Sequence, residues 1–257
     1  MRQRKMRSAI MRMFPLIEKI SRSKLILIQK SLLHTLPEQE HLKKFIRHFE
    51  IDCIFDVGAN MGQYATMLRE KVGYRGLIVS FEPVPECIER LRALAKSDPL
   101  WRVEPVALAE RAGTATFNVM ASNEFSSLSS PDHSKVDIFR DHNAVAEQIT
   151  VKVGTVAEHY EAYLAEFGFK RPFLKMDTQG NDMKVSMGAG DLLEKFAGLQ
   201  SELSMIGIYE GSPGYVEAIK YYESRGFRLS AFVPNNSGHF PRLIEMDCIM
   251  FNQRFLA

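Results

Sequence analysis

The amino-acid sequence predicts an α/β fold in which helices cover both faces of a mostly parallel sheet. From about residue 50, short apolar runs alternate with segments of helical periodicity, which is the order of elements in such a fold. The chain has 257 residues, of which 46% are hydrophobic, enough for one large core. We therefore expect one α/β domain over residues 46–257, preceded by a basic, helical extension over residues 1–45.

Seven apolar runs have the length and composition of strands. In chain order they cover residues 53–57, 77–81, 102–108, 173–176, 199–203, 227–233 and 245–251. Helical periodicity is found in residues 64–72, 86–96 and 215–224, and Gly226 after the last of these suits a left-handed C-cap.

A long polar insertion lies between two β-rich runs, residues 114–120 and 148–153. Its residues 121–147 show no clear period. Connections of this length inside compact domains are often lids or binding segments, so we expect substrate contacts there. The turn that begins at Tyr209 is a second candidate rim of the substrate site, although a plain structural turn explains it equally well.

Charge is distributed unevenly along the chain. Residues 1–30 contain nine basic residues and one acidic residue, Glu18, so their net charge is +8. Because the net charge of the whole chain is +2, the remaining residues have a net charge of −6. Two interpretations remain open: a solvated basic arm that covers the core, which we favour slightly, and peripheral contact with an anionic membrane. Nucleic acid is not expected as a partner, because the core is net acidic.

The N-terminal region contains no candidate membrane span. The apolar residues 25–28 lie between Lys24 and Lys30 and are far too few for a spanning helix or a signal-peptide core. The three cysteines are far apart and form no CxxC pair, so neither a disulfide framework nor a cysteine zinc site is indicated. We expect a cytoplasmic protein with buried free thiols, in which any membrane contact is at the inner face.

A small-residue turn follows the first predicted strand. It runs from Asp56 through Gly58 and Asn60 to Gly62 and leads into a helix. Gly58 allows the backbone to approach a ligand, and we expect Gly62 to permit close packing of the helix start against the strand. A glycine pair alone is a weak signal, since tight turns also need glycine for structural reasons.

An acidic residue follows the second predicted strand. Glu82 lies 24 positions beyond Gly58 and precedes Pro83. At the carboxyl end of the neighbouring strand, a carboxylate can accept hydrogen bonds from both hydroxyls of a ribose. Capping of the following helix would explain Glu82 alone, but it does not explain the glycine turn and Glu82 together. We therefore predict a nucleotide site.

S-adenosylmethionine (SAM) fits this site better than a nicotinamide dinucleotide does. A pyrophosphate needs glycine-rich amides at a helix N-terminus, whereas Asp56 and the sparser D-x-G-x-N-x-G turn suit a ligand without phosphate. The sulfonium and amino groups of SAM are cationic, so an acidic strand end favours its binding.

Five short motifs occur in the same order as in a known family. They are Phe55-Asp56-Val57-Gly58-Ala59-Asn60-Met61-Gly62, Phe81-Glu82-Pro83, Val106-Ala107-Leu108, Ser126-Ser127-Leu128 and Leu174-Lys175-Met176-Asp177-Thr178-Gln179-Gly180. Together they resemble the FkbM family of SAM-dependent methyltransferases over residues 50–252. The resemblance implies a Rossmann-like, seven-strand class I methyltransferase sheet with an antiparallel last strand, and O-methylation of a sugar, glycolipid or polyketide-like hydroxyl. Where the family typically has Gln-Gly-x-Glu, this chain ends the motif with Asp182, whose carboxylate is one methylene shorter.

Two carboxylates are candidates for the chemistry of methyl transfer. Asp177 follows the fourth strand, and the carboxyl ends of parallel strands line the ligand crevice. Glu202 lies within the fifth apolar strand, where a charge is unusual. The pair can act as general base and orienting group, or can hold a divalent cation, and we favour the metal-free version slightly. The structural alternatives are an N-cap role for Asp177 and a buried ion pair between Glu202 and Lys175.

The remaining expectations concern the two ends of the crevice. Asp56, Gly58, Asn60, Gly62 and Glu82 are expected to hold SAM, with Ala107 and Leu108 near the adenine. The expected substrate contacts are Ser126, Ser127, Lys175, Gln179 and His239. The two rival functions are an NAD-linked sugar oxidoreductase and a non-catalytic binding protein with the same fold.

Overall fold

The computed structural model describes residues 30–134, 139–234 and 241–256, and all elements below belong to these ranges. The described strands are β1 (Cys53–Val57), β2 (Leu77–Phe81), β3 (Trp101–Glu104), β4 (Ala107–Leu108), β5 (Gly113–Met120), β6 (Val145–Gly154), β7 (Pro172–Met176), β8 (Gly198–Ser204), β9 (Phe227–Val233) and β10 (Glu245–Asn252). The described helices are α1 (Leu36–His48), α2 (Gln63–Met67), α3 (Pro85–Ala95), α4 (Val156–Phe167), α5 (Asp182–Met187) and α6 (Tyr215–Ser224).

The main sheet of the described residues has seven strands in the order β3-β2-β1-β7-β8-β10-β9. Strand β1 is central, pairs in parallel with β2 and β7, and is buried along its whole length. Such burial on both faces explains its mainly apolar sequence. The last strand, β10, is antiparallel to both β8 and β9. The prediction of a mostly parallel, seven-strand sheet with an antiparallel last strand is confirmed.

The predicted strand over residues 102–108 is two strands in the structure. Strand β3 ends at Glu104, and β4 joins a second sheet in the order β4-β6-β5. Pro105 lies between them, and a proline cannot donate a ladder hydrogen bond. The two β-rich runs that flank the insertion pair with each other as β5 and β6.

The helices agree in part with the predicted segments. Helix α6 has the predicted bounds and α3 lies one residue earlier, whereas α2 continues as a π-helical turn, Leu68–Val72. Helix α4 was not predicted. Its first turn nevertheless has a sequence signature, because Thr155 and Glu158 form a reciprocal capping box.

Helix α1 packs against the sheet. Leu42 and Phe45 are buried in the same cluster as Ile54 and Phe173, and the ring centroids of Phe45 and Phe173 are 5.4 Å apart. The domain boundary expected between residues 45 and 46 falls inside this helix, and the compact unit begins at His34. Residues 1–29, with the basic segment, lie outside the described residues.

Two further expectations concern the membrane and the cysteines. None of the described helices has the length and apolar character needed to cross a bilayer. All three cysteines are buried free thiols, as expected.

Candidate cofactor and acceptor site

The glycine turn after β1 is fixed by very close packing. Gly58 has φ +76°, and a Cβ atom there would lie 1.9 Å from the carbonyl oxygen of Asp177, so only glycine fits. Gly62 has φ +87°, and a Cβ there would come within 3.0 Å of Leu91 and Leu94. Gly62 therefore permits close packing against helix α3, rather than the predicted packing against the strand.

The carboxylate of Glu82 connects the end of β2 to this turn. Oε2 accepts the backbone N–H of Asn60 at 2.8 Å, and Oε1 accepts that of Val84 at 2.9 Å. Burial raises the pKa of Glu82 to about 7. Val84 is the N-cap residue of α3, so Glu82 helps to cap this helix and still has lone pairs for ribose hydroxyls. This geometry fits the predicted ribose contact.

Asp56 lies beneath the turn in a buried ion pair. Its side chain is fully buried, with Oδ1 3.2 Å from Nζ of Lys175 and Oδ2 accepting the hydroxyl of Ser80 at 3.2 Å. Burial raises the pKa of Asp56, and the Lys175 charge opposes that shift. The pKa of Lys175 is also raised, because Asp56 and Asp177 outweigh the effect of burial. The ion pair between Asp56 and Lys175 thus stabilises the turn from its buried side. Lys175 was expected to contact the substrate, and its side chain is 6% exposed.

Gln179 joins the two carboxylates expected to serve the acceptor. Its Nε2 donates to Asp177 Oδ1 at 2.9 Å and to Glu202 Oε2 at 3.0 Å. Its Oε1 accepts the hydroxyl of Tyr209 at 2.8 Å. The backbone of Gln179 is in the left-handed region, with φ 55°. The structure therefore brings Asp177 and Glu202 together through one amide, and Asp177 is 43% exposed.

Asp182 holds this loop to strand β8. Oδ1 accepts the N–H and the hydroxyl of Thr178, and Oδ2 accepts the hydroxyl of Ser201 and the N–H of Glu202, at 2.7 to 3.0 Å. The shorter carboxylate thus receives four hydrogen bonds in a buried position. Its role in the described structure is to shape the loop.

The insertion is anchored on the same loop. The Ser127 hydroxyl is buried, donates to Gln179 O at 2.8 Å, and accepts the amide of Asn181 at 3.1 Å. Ser126 Oγ accepts the N–H of Met120. These hydroxyls hold the insertion in place, and the expected contact of Ser126 and Ser127 with the substrate stays a prediction. Tyr209 contributes to this anchoring, since its single hydroxyl hydrogen is shared between Gln179 Oε1 and Phe125 O, which lies 2.7 Å away.

The expected adenine contacts lie in packed clusters near the end of β2. Ala107 is buried in one cluster with Val84 and Cys87, and Leu108 is buried in the main core. Met61 from the glycine turn packs partly buried against the first cluster. The adenine role of Ala107 and Leu108 stays a prediction. His239 lies outside the described residues.

The carboxyl edge of the sheet carries more acidic groups than the two predicted from the sequence. Burial raises the pKa of Glu202 well above its usual value, and neighbouring Glu245 raises it further. Burial, Asp177 and Asp182 raise the pKa of Glu245 to about 8. Within the described ranges, no group of three or more His, Cys, Asp or Glu side chains is arranged to hold a metal ion.

Glu245 and Asp247 were missed although the sequence contains their signal. They alternate with apolar residues in β10, the same pattern that singled out Glu202 in β8. In the sheet, Asp247 is the register partner of Glu202. In both β8 and β10, a carboxylate within an apolar strand therefore marks the acidic edge of the sheet.

Comparison with known proteins identifies one family. The model of the methyltransferase FkbM domain matches residues 56–229. No curated protein sequence matches the chain. Among solved structures, the chain is similar to magnesium protoporphyrin IX methyltransferase from Synechocystis PCC 6803 with bound SAM, at 7% identity and a TM-score of 0.45, over 90% of this chain and 86% of that one.

Two more solved structures have comparable similarity. Fibrillarin from Aeropyrum pernix with natively bound SAM is 14% identical over 77% of this chain and 66% of that one, with a TM-score of 0.42. An rRNA methylase from Streptococcus thermophilus is 7% identical over 88% of this chain and 99% of that one, with a TM-score of 0.44.

The family assignment rests on the matched region, which contains the glycine turn, Glu82 and the Asp177–Asp182 loop. The strand order and the antiparallel last strand agree with it. The chain belongs to the FkbM methyltransferase family, and SAM is its cofactor.

Proposed function

We propose that this methyltransferase acts on a hydroxyl oxygen of a small acceptor of the sugar, glycolipid or polyketide type. The observation that carries the proposal is the bridge through Gln179, which joins Asp177 to Glu202 at the carboxyl ends of β7 and β8. The half-exposed Asp177 is next to the glycine turn, because its carbonyl packs directly against Gly58. A proton acceptor is thereby held beside the cofactor turn.

Bound SAM supplies a methyl group on a sulfonium centre, and the acceptor oxygen must approach it in line. The residues of this chain orient the reactants and move one proton. Asp177 accepts the hydroxyl proton while Gln179 fixes one of its oxygens, and Glu82 holds the ribose. The Ser127 and Tyr209 contacts hold the insertion over this edge, where it can exclude water.

Direct base catalysis is preferred over a metal bridge. Asp177 and Glu202 share a single amide donor, an arrangement that orients carboxylates. The net charge of −6 outside residues 1–30 also favours a small acceptor over a nucleic acid, since an acidic core does not attract phosphates. Peripheral attachment to an anionic membrane through residues 1–30 is proposed from charge alone.

A mass-spectrometric screen tests the proposed reaction. The purified full chain is incubated with SAM and with glycans and lipid extracts, and products are searched for added methyl groups on oxygen. EDTA should leave the activity unchanged if Asp177 acts as a direct base. Methylation on nitrogen or carbon alone would contradict the proposal, and activity lost with EDTA and restored by magnesium would replace direct base catalysis by a metal bridge. Thermal stabilisation by NAD and not by SAM would select an oxidoreductase.

A further inference from the structure

We infer that Glu38, on helix α1 and outside the family match, is a positioning residue for the cofactor turn, acting through Gln200, Tyr64 and Lys175. The inference rests on SAM binding and is independent of the acceptor. The family match, residues 56–229, contains every residue so far assigned to the cofactor site. Three successive contacts instead extend the site to a helix that precedes the match.

The first contact is made by Gln200 on β8. Its Nε2 donates to Glu38 Oε1 at 2.7 Å and to Asp247 Oδ2 at 2.7 Å. Its Oε1 accepts the hydroxyl of Tyr64 at 2.9 Å. Gln200 is 1% exposed, so both amide hydrogens and the carbonyl depend on these protein partners. Glu38 therefore fixes the orientation of the amide together with Asp247 and Tyr64.

The second contact is made by Tyr64, in the first turn of helix α2 after the glycine turn. The Lys175 ammonium lies 5.1 Å from the centroid of the Tyr64 ring, within the range of a cation–π interaction. The hydrogen bond to Gln200 holds the ring in that place. A change at Glu38 is thereby transmitted to Lys175.

The third contact reaches the cofactor turn itself. Lys175 Nζ donates to the carbonyl oxygen of Gly58 at 3.4 Å and lies 3.2 Å from Asp56. Asp56, Lys175 and Gln200 are register partners in β1, β7 and β8, so their side chains form one row on one face of the sheet. Because Lys175 contacts both Gly58 and Asp56, its position affects the geometry of the turn.

The test measures SAM and S-adenosylhomocysteine affinity by titration calorimetry on the full chain. Glu38→Ala should raise both dissociation constants by about tenfold, since a buried amide hydrogen loses its partner. Glu38→Gln should remain within about threefold of wild type, because its side-chain oxygen can still accept from Gln200. Glu40→Ala is the matched control on the same helix, at an exposed carboxylate paired with Lys43, and should bind as wild type does.

A double-mutant cycle separates positioning from general stability. Tyr64→Phe should weaken binding by a factor similar to that of Glu38→Ala, and the double variant should be no weaker than the stronger single variant. Wild-type affinity in Glu38→Ala, additive effects in the cycle, or loss of binding in Glu38→Gln would overturn the inference. If Glu38→Ala does not fold, Tyr64→Phe and Glu38→Gln still decide. A wild-type chain that binds no SAM would instead refute the cofactor assignment.

Discussion

The carboxylate of Glu82 accepts the backbone N–H of Asn60 at 2.8 Å, so the end of β2 and the turn after β1 form one unit. Asn60 has φ 47°, a left-handed conformation that asparagine tolerates better than most residues. Glu82 thus has two tasks, because it shapes the turn and presents a carboxylate to the ribose.

Replacement of Glu82 should separate its contact with the turn from its contact with the ribose. Glu82→Gln keeps one acceptor oxygen and should weaken SAM and S-adenosylhomocysteine binding by about 1 to 2 kcal/mol, whereas Glu82→Ala should cost about 2 to 4 kcal/mol. Calorimetric titration of both variants measures the difference. Glu86→Gln, an exposed change in α3, is the control. Wild-type affinity in a folded Glu82→Ala variant would remove Glu82 from the ribose site.

Buried carboxyl groups should make the ligand-free protein less stable at alkaline pH. The pKa of Glu82 is raised to about 7 and that of Glu245 to about 8 in the folded state, above the ordinary value of 4.5. The folded state therefore retains protons that the unfolded chain releases, and this stabilisation is present at low pH and lost as pH rises through about 7 and 8.

Glu245→Gln should accordingly raise the free energy of unfolding at pH 8.5 by about 2 kcal/mol and change it little at pH 4.5, the ordinary pKa of the group. Urea denaturation at both pH values measures this, with the exposed Glu161→Gln as control. An equal effect of Glu245→Gln at both pH values would show that its charge is not the cause.

Asp177→Asn should reduce turnover far more than cofactor affinity. Asparagine keeps the oxygen that accepts from Gln179 but cannot take a proton, and loss of a general base costs about a hundredfold to ten-thousandfold in kcat. The dissociation constant of SAM should change by less than about threefold. Single-turnover rates on a verified acceptor decide, with the fully exposed Asp191→Asn as control. If the folded Asp177→Asn variant no longer binds SAM, Asp177 must be assigned to the cofactor site and not to the acceptor.

Asp182→Glu should destabilise the protein although glutamate is typical of the family at this position. The carboxylate already has four donors in a closed space, and an added methylene in a packed site costs about 1 to 3 kcal/mol. Asp182→Ala should cost at least as much, because buried donors lose their acceptor. Urea denaturation with Asp191→Glu as control tests this, and a stabilised Asp182→Glu variant would refute it.

Deletion of residues 1–30 should leave SAM affinity unchanged and remove adhesion to anionic vesicles. The deleted segment carries a net charge of +8. Vesicle sedimentation at low and high salt measures the adhesion, which salt should weaken. An intact chain that ignores anionic vesicles at low salt would eliminate the membrane proposal.

The strand pattern was predictable because the central strands are buried on both faces. The run Leu77–Phe81 of β2 has four apolar residues in five and is buried throughout, which is typical of a central strand in a parallel sheet. The break between β3 and β4 was harder to predict, since one proline decides it. Helix α4 was missed despite its capping signal, because its apolar positions are interrupted by regularly spaced charges.

The site was predictable where a characteristic residue type directly follows a strand. Gly58 and Glu82 have this property, and the sequence locates both. The bridge through Gln179 and the contact between Glu38 and Gln200 join residues that are 23 and 162 positions apart. The strand order brings such partners together, and a single sequence does not specify the side-chain rotamers that complete the contacts.

The position of β10 has a consequence for how the chain is made. This strand follows β9 in the sequence, yet it lies between β8 and β9 in the described sheet. During synthesis β9 emerges before the strand that it pairs with, so the sheet can close only after residue 252 has left the ribosome. The emerging chain therefore presents two unpaired strand edges, those of β8 and β9, to chaperones until residues 245–252 have been added.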